Sequence, residues 1–183
     1  MLFMQERNPR YTRIEYERRF LVDPAADWQR NAKPVSKLLD DRYLTCGKLR
    51  LRRIEDSDTD RIAWKLTKKY DSDSPFAQPV VSVWLSSEEY EALSGLPGHS
   101  VSKRRYYDER DGLIFSIDVF HGELDGLILC ETESESLAGL SAVRFPPYER
   151  WEVTEDVFFT GGFLCRAGRP HLEAAIARIT ESP

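Results

Sequence analysis

Residues 13–23 read R-I-E-Y-E-R-R-F-L-V-D, a stretch in which charged and apolar side chains alternate. Glu15, Glu17 and Arg19 are spaced by two, and most of the intervening positions are apolar. Because alternate side chains of a β-strand point to opposite faces, this pattern predicts a strand with one charged face and one packing face. Any antiparallel strand with a solvated side alternates in this way, so a functional meaning depends on whether the pattern recurs on other strands.

The same alternation recurs along the chain. Residues 48–55 read K-L-R-L-R-R-I-E and place two arginines on one face, residues 61–70 gather lysines on one face, and residues 131–133 repeat the Glu-x-Glu spacing. Strands are predicted at 13–23, 38–45, 48–55, 61–70, 80–85, 101–108, 113–120, 127–133 and 151–154, helices after Ser86 or Ser87 and at 170–179, and short helical turns at 25–32 and 136–140. About eight strands with two or three helices predict an α+β, mainly β protein with an antiparallel sheet or barrel and helices outside.

Length, charge and cysteine content narrow the class of protein. The 183 residues suit one domain, with a loose leader at residues 1–12 and a single domain at 13–183. The net charge of -5 argues against a nucleic-acid partner, since binding a polyanion on the surface relies on positive charge. No apolar run of about eighteen residues predicts a membrane span. The three cysteines lack C-x-x-C spacing, which predicts neither a disulfide framework nor a zinc site and favours a cytoplasmic protein.

The predicted strands share one charged face. Its cations are Arg19, Arg50, Arg52, Lys65, Lys69, Lys103 and Arg105, and its acids are Glu15, Glu17, Asp118, Glu131, Glu133 and Glu152. In an open sheet these groups would simply be solvated, whereas in a closed barrel they would line a lumen. Uncompensated charge inside a lumen costs several kcal/mol per ion. A polyphosphate held by the cations, with Mg²⁺ or Mn²⁺ held by the carboxylates, would satisfy both sets of charges.

Six short motifs follow one another in order over roughly residues 13 to 160. They are E-Y-E-R-R-F-L-V at 15–22, L-R-L-R-R at 49–53, L-T-K-K at 66–69, K-R-R at 103–105, S-I-D-V-F at 116–120 and E-T-E at 131–133. Each motif is weak alone, but the ordered set resembles the CYTH or triphosphate tunnel metalloenzyme superfamily. The resemblance implies an eight-stranded antiparallel closed barrel, or tunnel, that takes triphosphates and depends on a divalent cation.

The resemblance also implies roles for individual residues. The implied activity is hydrolysis of inorganic triphosphate or a related small triphosphate with Mg²⁺ or Mn²⁺. The implied metal ligands, direct or through water, are Glu15, Glu17, Asp118, Glu131, Glu133 and Glu152. The implied phosphate-binding residues are Arg19, Arg50, Arg52, Lys65, Lys69, Lys103 and Arg105. Water activated by the metal or by Glu131 or Glu133 would be the nucleophile, and Lys69 and Arg19 complete the candidate catalytic set.

This chain departs from the superfamily pattern at two places. The E-x-E-x-K signature falls on Glu15, Glu17 and Arg19, so that a planar guanidinium replaces a compact ammonium. In the strand at 80–85 many relatives carry a basic residue and a Glu, whereas this chain offers Ser82 and no charge. The arginine at position 19 argues against a proton-transfer role for that residue. The missing carboxylate in the strand at 80–85 could alter binding of a second metal ion or the substrate preference.

Several alternatives stay open from the sequence. The substrate could be tripolyphosphate, ATP or thiamine triphosphate, and the reaction could be that of an adenylyl cyclase of the same family or of a thiamine triphosphatase. A polyphosphate-binding module without turnover is an alternative of a different class. The sequence also leaves open whether the chain forms a homodimer. Trp64 and Trp84 lie on apolar alternations and are predicted to pack beneath helices, and Gly161-Gly162 is predicted to form a turn.

Overall fold

The computed structural model describes residues 11–146 and 148–181 of the 183-residue chain. Most of the leader predicted at residues 1–12 therefore lies outside the described residues. The nine strands are β1 Arg13–Val22, β2 Lys37–Leu44, β3 Leu49–Asp56, β4 Ile62–Lys69, β5 Ala77–Leu85, β6 Gly98–Arg110, β7 Leu113–Phe120, β8 Ile128–Ser134 and β9 Glu149–Glu152. The α-helices are α1 Ser87–Ser94, α2 Leu137–Ser141, α3 Gly161–Leu164 and α4 Arg169–Thr180.

Eight of these strands close into an antiparallel barrel. The sheet order is β5-β4-β3-β2-β6-β7-β8-β1, and β5 also pairs with β1, which joins the two ends. Arg13 to Tyr16 of β1 pair with β5, while Tyr16 to Leu21 pair with β8. The short strand β9 continues along the same edge of β1 beyond β5, pairing with residues 20–22. The predicted closed barrel is thus confirmed, with β9 as a strand added outside the ring.

Local sequence chemistry explains the tight connections. The Asp56 carboxylate accepts hydrogen bonds from the backbone N–H groups of Asp58 and Thr59, which stabilises the β3–β4 turn. Ser86 caps α1, and Glu89 bonds back to the Ser86 N–H in a reciprocal capping box. Short hairpin connections of this kind allow consecutive strands to pair as antiparallel neighbours.

Some predicted boundaries differ from the structure. Strand β5 begins at Ala77, three residues before the predicted start at residue 80, and so includes Pro79. Pro79 lacks an N–H but its carbonyl accepts from the Tyr70 N–H at 2.9 Å, so it still contributes one ladder bond. Residues 25–32 form turns rather than a helical turn. The predicted turn at Gly161-Gly162 is instead the start of the short helix α3.

Two apolar clusters hold the barrel and its covering segments together. The first joins Leu21, Phe120 and Leu129 of the barrel to Phe159 and Leu164 near the C-terminus. These barrel residues lie where β1 and β7 end and β8 begins, so the C-terminal segment packs across that end of the barrel. The second cluster lies against the outer face of β7 and β8 and contains Trp28, Phe115, Ile117, Cys130 and Tyr148 among others. Among the described helices, none is long and apolar enough to cross a membrane.

Candidate functional site

The barrel encloses a narrow, strongly charged lumen of about 180 Å³. Its charged lining comprises Arg13, Arg19, Arg50, Arg52, Lys65, Lys69, Lys103, Arg105, Glu15, Glu17, Glu131 and Glu133. Eight cationic side chains thus face four carboxylates among the described residues. All seven predicted phosphate-binding residues are brought together here, with four of the six predicted metal ligands. Arg13 joins them because it lies two residues before Glu15 on the same face of β1.

Arg19 ties two lumen carboxylates together. Its Nε donates to Glu131 Oε1 and its Nη2 donates to Glu17 Oε1, both at 2.8 Å. The residue is only 6% exposed. Although burial opposes its charge, the Glu131 and Glu17 carboxylates raise the Arg19 pKa above its ordinary value. A forked guanidinium can hold two carboxylates in this way, so the arginine at position 19 leaves Glu17 and Glu131 already engaged.

Asp118 lies beneath the lumen lining and is fully buried. Its carboxylate accepts from Lys103 Nζ and from Arg105 Nε and Nη2, the last two at 2.6 Å. Arg105 also donates from Nη2 to Glu131 Oε2 at 2.9 Å. Both oxygens of Asp118 are therefore occupied by cations, and the residue is a buried counter-ion instead of a group on the lumen surface.

Asp41, on β2 at the other side of β6, plays the same part and was missed in the sequence. It is 2% exposed and binds Arg52 through a two-pronged pair, from Nε at 2.5 Å and from Nη2 at 2.7 Å. Burial opposes its charge, but Arg52 and then Arg50 hold its pKa well below the ordinary value. The sequence could have indicated this pairing, because the turn at Cys46-Gly47 sets the β2–β3 register that places Asp41 opposite Arg52.

Three cationic groups of the lumen are less well compensated. Within residues 11–146 and 148–181, neither Lys65 nor Lys69 has a carboxylate within 4 Å of its ammonium. Arg50 Nε is buried without a hydrogen-bond partner, and its nearest carboxylate oxygen, on Asp41, is 3.9 Å away. Burial, followed by the charges of Arg50 and Arg52, lowers the Lys65 pKa. An anion placed among these groups would supply the missing acceptors.

The four lumen carboxylates differ in their surroundings. Burial opposes the charge of Glu131, but Arg19, Lys103 and Arg105 hold its pKa well below the ordinary value. Burial and then the neighbouring charge of Glu15 raise the pKa of Glu133, whose side chain is 52% exposed. In the part of the chain that the structure describes, no three His, Cys, Asp or Glu side chains already converge as a metal-binding group. The exposed Arg13 guanidinium lies 3.0 Å from the Glu133 carboxylate and 3.7 Å from that of Glu15, so it offsets part of their repulsion.

Glu152 lies outside the lumen, which corrects its prediction as a metal ligand. Arg18, on the outer face of β1, binds its carboxylate from Nε at 2.8 Å and from Nη2 at 2.5 Å. The physical reason is strand register, since β9 pairs along the edge of β1 outside the closed ring. Glu152 also accepts from the Thr154 hydroxyl at 2.9 Å. It therefore helps to fasten β9 to the barrel.

The two tryptophans of the β4–β5 hairpin have different environments. Trp64 packs against Tyr90 of α1 with ring centroids 6.1 Å apart, as predicted for a residue beneath a helix. Trp84 is 68% exposed, so its predicted packing beneath a helix is wrong. It pairs with Lys65 across the β4–β5 ladder, which places both side chains on the lumen face. Ser82, on the same face, shares a hydrogen bond with Thr67 at 2.9 Å.

Gly161 permits the C-terminal segment to approach the lumen. A Cβ at this position would lie 1.8 Å from Tyr43 Oη, whereas a Cβ at Gly162 would only reach an ordinary contact of 4.0 Å with Tyr43 Cδ1. Tyr43 lines the lumen, and burial together with Asp41 raises its pKa to about 12. Gly161 is therefore needed because a side chain would displace the Tyr43 ring.

Replacing Gly161 with Ala is expected to destabilise the protein by about 1–3 kcal/mol, since the added methyl overpacks the contact with Tyr43. The neighbouring substitution Gly162→Ala is the matched control and is expected to be neutral or slightly stabilising. Thermal unfolding of both variants measures the difference. Equal behaviour of the two variants would show that the Gly161 approach does not constrain the fold.

A closed antiparallel barrel with a charged lumen defines a tunnel protein. A curated inorganic triphosphatase of Nitrosomonas europaea is 32% identical over 148 residues, which cover 78% of this chain and 90% of the relative. A crystal structure of an inorganic triphosphatase matches with a TM-score of 0.54 and 27% identity, over 84% of this chain and 95% of that one. A Pyrococcus horikoshii structure shares the fold, with a TM-score of 0.51 and 16% identity over 69% of this chain and 84% of that one. No family model matches the sequence.

The chain belongs to the CYTH, or triphosphate tunnel metalloenzyme, superfamily, together with the Nitrosomonas europaea inorganic triphosphatase. The motifs that carry the resemblance fall on strands of the barrel, and charged residues at alternate positions within them line its lumen. Position 19 is an arginine and β5 carries no charged residue, the two places at which the sequence was predicted to depart from the superfamily pattern.

Proposed function

We propose that this protein hydrolyses inorganic triphosphate within its lumen, with the help of a divalent cation such as Mg²⁺ or Mn²⁺. The observation that carries the proposal is the excess of cations over carboxylates in the lumen, including the unpartnered Arg50 Nε. The 32% identical relative, an inorganic triphosphatase, supports the choice of substrate. A compact polyanion without an organic group suits a lumen of this size and polarity.

The cations have distinct roles in this proposal. Lys65, Lys69 and Arg50 hold the phosphate oxygens, because they have the fewest internal partners. Arg52, Lys103 and Arg105 are fixed by the buried carboxylates of Asp41 and Asp118 and present a preorganised positive wall. Groups held in place before the reaction stabilise developing charge without the cost of reorganisation. Charge spreads over the oxygens of a transferred phosphoryl group, so such a wall favours hydrolysis.

The lumen carboxylates fit a divalent cation by their chemistry. Carboxylate oxygens are the ligands that Mg²⁺ and Mn²⁺ prefer. Glu15 and Glu133 are the better placed, because their cationic partner is the exposed Arg13, whereas the buried Arg19 engages Glu17 and Glu131. When bound, the cation would offset phosphate charge and help to activate water. We assign Asp118 and Glu152 no contact with it, since each is bound by cations of the chain.

Glu133 is the better candidate to accept a proton from the attacking water. Its side chain reaches the accessible part of the lumen beside the proposed cation site, where the attacking water would lie. Glu131 is held by two arginines, which hold its pKa low and make it a weak base. We therefore assign Glu131 and Arg19 to positioning, and the water-activating role to Glu133.

The proposal is tested by measuring phosphate release from tripolyphosphate with Mg²⁺ and with Mn²⁺ in folded protein. Release with either metal supports it, and no release with both contradicts it. Lys69→Ala is expected to raise KM by about tenfold or more, since a charge-assisted hydrogen bond to the substrate is lost. Lys68→Ala is the matched control, because the adjacent side chain points to the outer face of β4. Equal effects of the two variants would remove Lys69 from the site.

A polyphosphate-binding role without turnover is the second candidate. The engagement of Glu17 and Glu131 by Arg19 favours it, because this engagement leaves fewer carboxylates for a cation. Tight binding of tripolyphosphate that leaves the ligand intact would select this candidate. Cyclic AMP formation from ATP would instead select a cyclase, and preferential cleavage of thiamine triphosphate a thiamine triphosphatase. Cytoplasmic location and homodimer formation remain predictions from the sequence.

A further inference from the structure

Arg13 lies between the two lumen carboxylates that are the better placed for a divalent cation. Its Nη2 is 3.0 Å from Glu133 Oε2 and 3.7 Å from Glu15 Oε1, so that one nitrogen approaches both carboxylates. The same nitrogen donates a hydrogen bond to Glu133 Oε2. A positive charge in this position favours the ionised form of both carboxylates. The space between them therefore already holds a cation that belongs to the chain.

The Arg13 side chain can leave this position without disturbing the core. It is 68% exposed and the Glu133 side chain is 52% exposed, so their separation opens no space in the protein interior. Arg19 differs, because its buried side chain donates to both Glu17 and Glu131. An exposed ion pair contributes little to stability, whereas a buried pair is costly to break. Of these two arginines, Arg13 is thus the one that a cation from solution can displace.

A divalent cation and the Arg13 guanidinium compete for one space. Both would lie between Glu15 and Glu133 and neutralise the same negative charge. A divalent cation has the stronger attraction, because the Coulomb energy at a given distance doubles with the charge. It must nevertheless displace the guanidinium first, and the lost ion pair weakens its net affinity.

We propose that Arg13 is a built-in competitor for the divalent cation and sets the metal concentration at which the site between Glu15 and Glu133 fills. This inference rests on the proposed function, because it takes these two carboxylates as the metal site. Arg13 precedes the Glu15–Glu17 pair and was not among the site residues predicted from the sequence. Its role follows from its contacts with both carboxylates.

Titration with Mn²⁺ in the absence of phosphate tests this role without relying on turnover. Bound Mn²⁺ is measured by the loss of the electron paramagnetic resonance signal of the free ion, for the wild type and for Arg13→Gln, Arg13→Lys and Arg61→Gln. Arg13→Gln is expected to bind Mn²⁺ about two- to fivefold more tightly, as for the loss of an exposed ion pair. Arg13→Lys keeps the charge and should stay closer to the wild type. Arg61 is exposed and pairs with neither Glu15 nor Glu133, so Arg61→Gln is the matched control for the loss of one charge.

The double variant Arg13→Gln/Glu133→Gln locates the effect. It should lose the gain in Mn²⁺ affinity, because one of the two proposed ligands is removed. Equal Mn²⁺ affinity of the wild type and Arg13→Gln would overturn the inference, as would an equal gain in Arg61→Gln or no Mn²⁺ binding by either the wild type or Arg13→Gln. A weaker affinity of Arg13→Gln for tripolyphosphate, with unchanged Mn²⁺ affinity, would contradict it by assigning Arg13 to phosphate binding.

Competition by Arg13 and hydrolysis of tripolyphosphate can fail separately. Tighter Mn²⁺ binding by Arg13→Gln, in a protein that releases no phosphate, would support the competition and contradict hydrolysis. Phosphate release by the wild type, with Mn²⁺ affinity unchanged in Arg13→Gln, would support hydrolysis and contradict the competition.

Discussion

Replacing Glu133 with Gln is expected to lower tripolyphosphate turnover by about a hundredfold while stabilising the folded protein at neutral pH. The loss of activity is expected because Glu133 is a proposed metal ligand and proton acceptor. Removing even an outer-shell partner of a metal typically lowers activity or metal affinity by roughly 10–100-fold. The gain in stability follows from the partial burial of the Glu133 carboxylate and then from its crowding by Glu15 and Glu17. A change that improves folding but reduces catalysis marks a residue kept for function.

The direction of the pH dependence follows from the raised pKa of Glu133. Folding favours its protonated form, so Glu133 adds stability below the ordinary glutamate value of 4.5 and loses it as pH rises through the higher folded-state pKa. Gln is neutral throughout and avoids this loss. The unfolding temperature of Glu133→Gln, relative to the wild type, should therefore increase as the pH is raised from the ordinary glutamate value of 4.5 through the higher folded-state pKa.

Glu135→Gln is the matched control for both measurements, because Glu135 is exposed two residues beyond the lumen position. It should alter neither turnover nor the pH dependence of stability. Wild-type turnover in Glu133→Gln would remove Glu133 from the site. A lower stability of that variant at neutral pH would show that the crowding of carboxylates is not the dominant influence on Glu133.

Replacing Asp118 with Asn is expected to cause the largest loss of stability among the substitutions considered. Asp118 is fully buried and neutralises Lys103 and Arg105, so removing its charge leaves the buried Lys103 without its carboxylate partner and Arg105 with Glu131 alone. Breaking a buried ion pair from one side typically costs about 3–5 kcal/mol. For a chain of this length the unfolding temperature should fall by about 10 °C.

The experiment also separates the structural role of Asp118 from a role in binding metal. Thermal unfolding is measured with and without Mg²⁺ for the wild type, for Asp118→Asn and for the exposed-site control Asp73→Asn. A counter-ion role predicts a large loss of stability in the absence of metal. Full stability without metal, combined with a loss of stabilisation by Mg²⁺, would instead assign Asp118 to the metal site.

Much of the fold and of the lumen could be predicted from alternation alone. The spacing of Glu15, Glu17 and Arg19 places them on one face of any extended strand, and the same holds for Arg50 with Arg52. These side chains line the lumen together in the structure. Closure of the barrel required the family resemblance, because an open sheet would show the same periodicity.

The assignments that differed depend on contacts between distant parts of the chain. Glu152 alternates like a lumen residue, but β9 lies outside the ring and Arg18 captures its carboxylate. Asp118 alternates correctly but is buried beneath Lys103 and Arg105. Trp84 lies on a strand with an apolar pattern, yet its ring is exposed beside Lys65. The alternation of a sequence predicts which face of a strand a side chain occupies, whereas the burial of that side chain and its ion-pair partners depend on strand register and packing.

The sequence by itself determined the strands, the charge of their common face and the superfamily. It did so because side-chain alternation is a local property of an extended backbone, independent of what the strand later contacts. Only the tertiary structure decided which charges neutralise one another. Arg19 holds Glu17 and Glu131, Asp41 holds Arg52, and Asp118 holds Arg105, while Glu133 pairs with the exposed Arg13 and Lys65 and Lys69 have no carboxylate within 4 Å among the described residues. The physical reason is that an ion pair depends on distances of a few ångströms, which closure of the barrel sets between residues far apart in sequence.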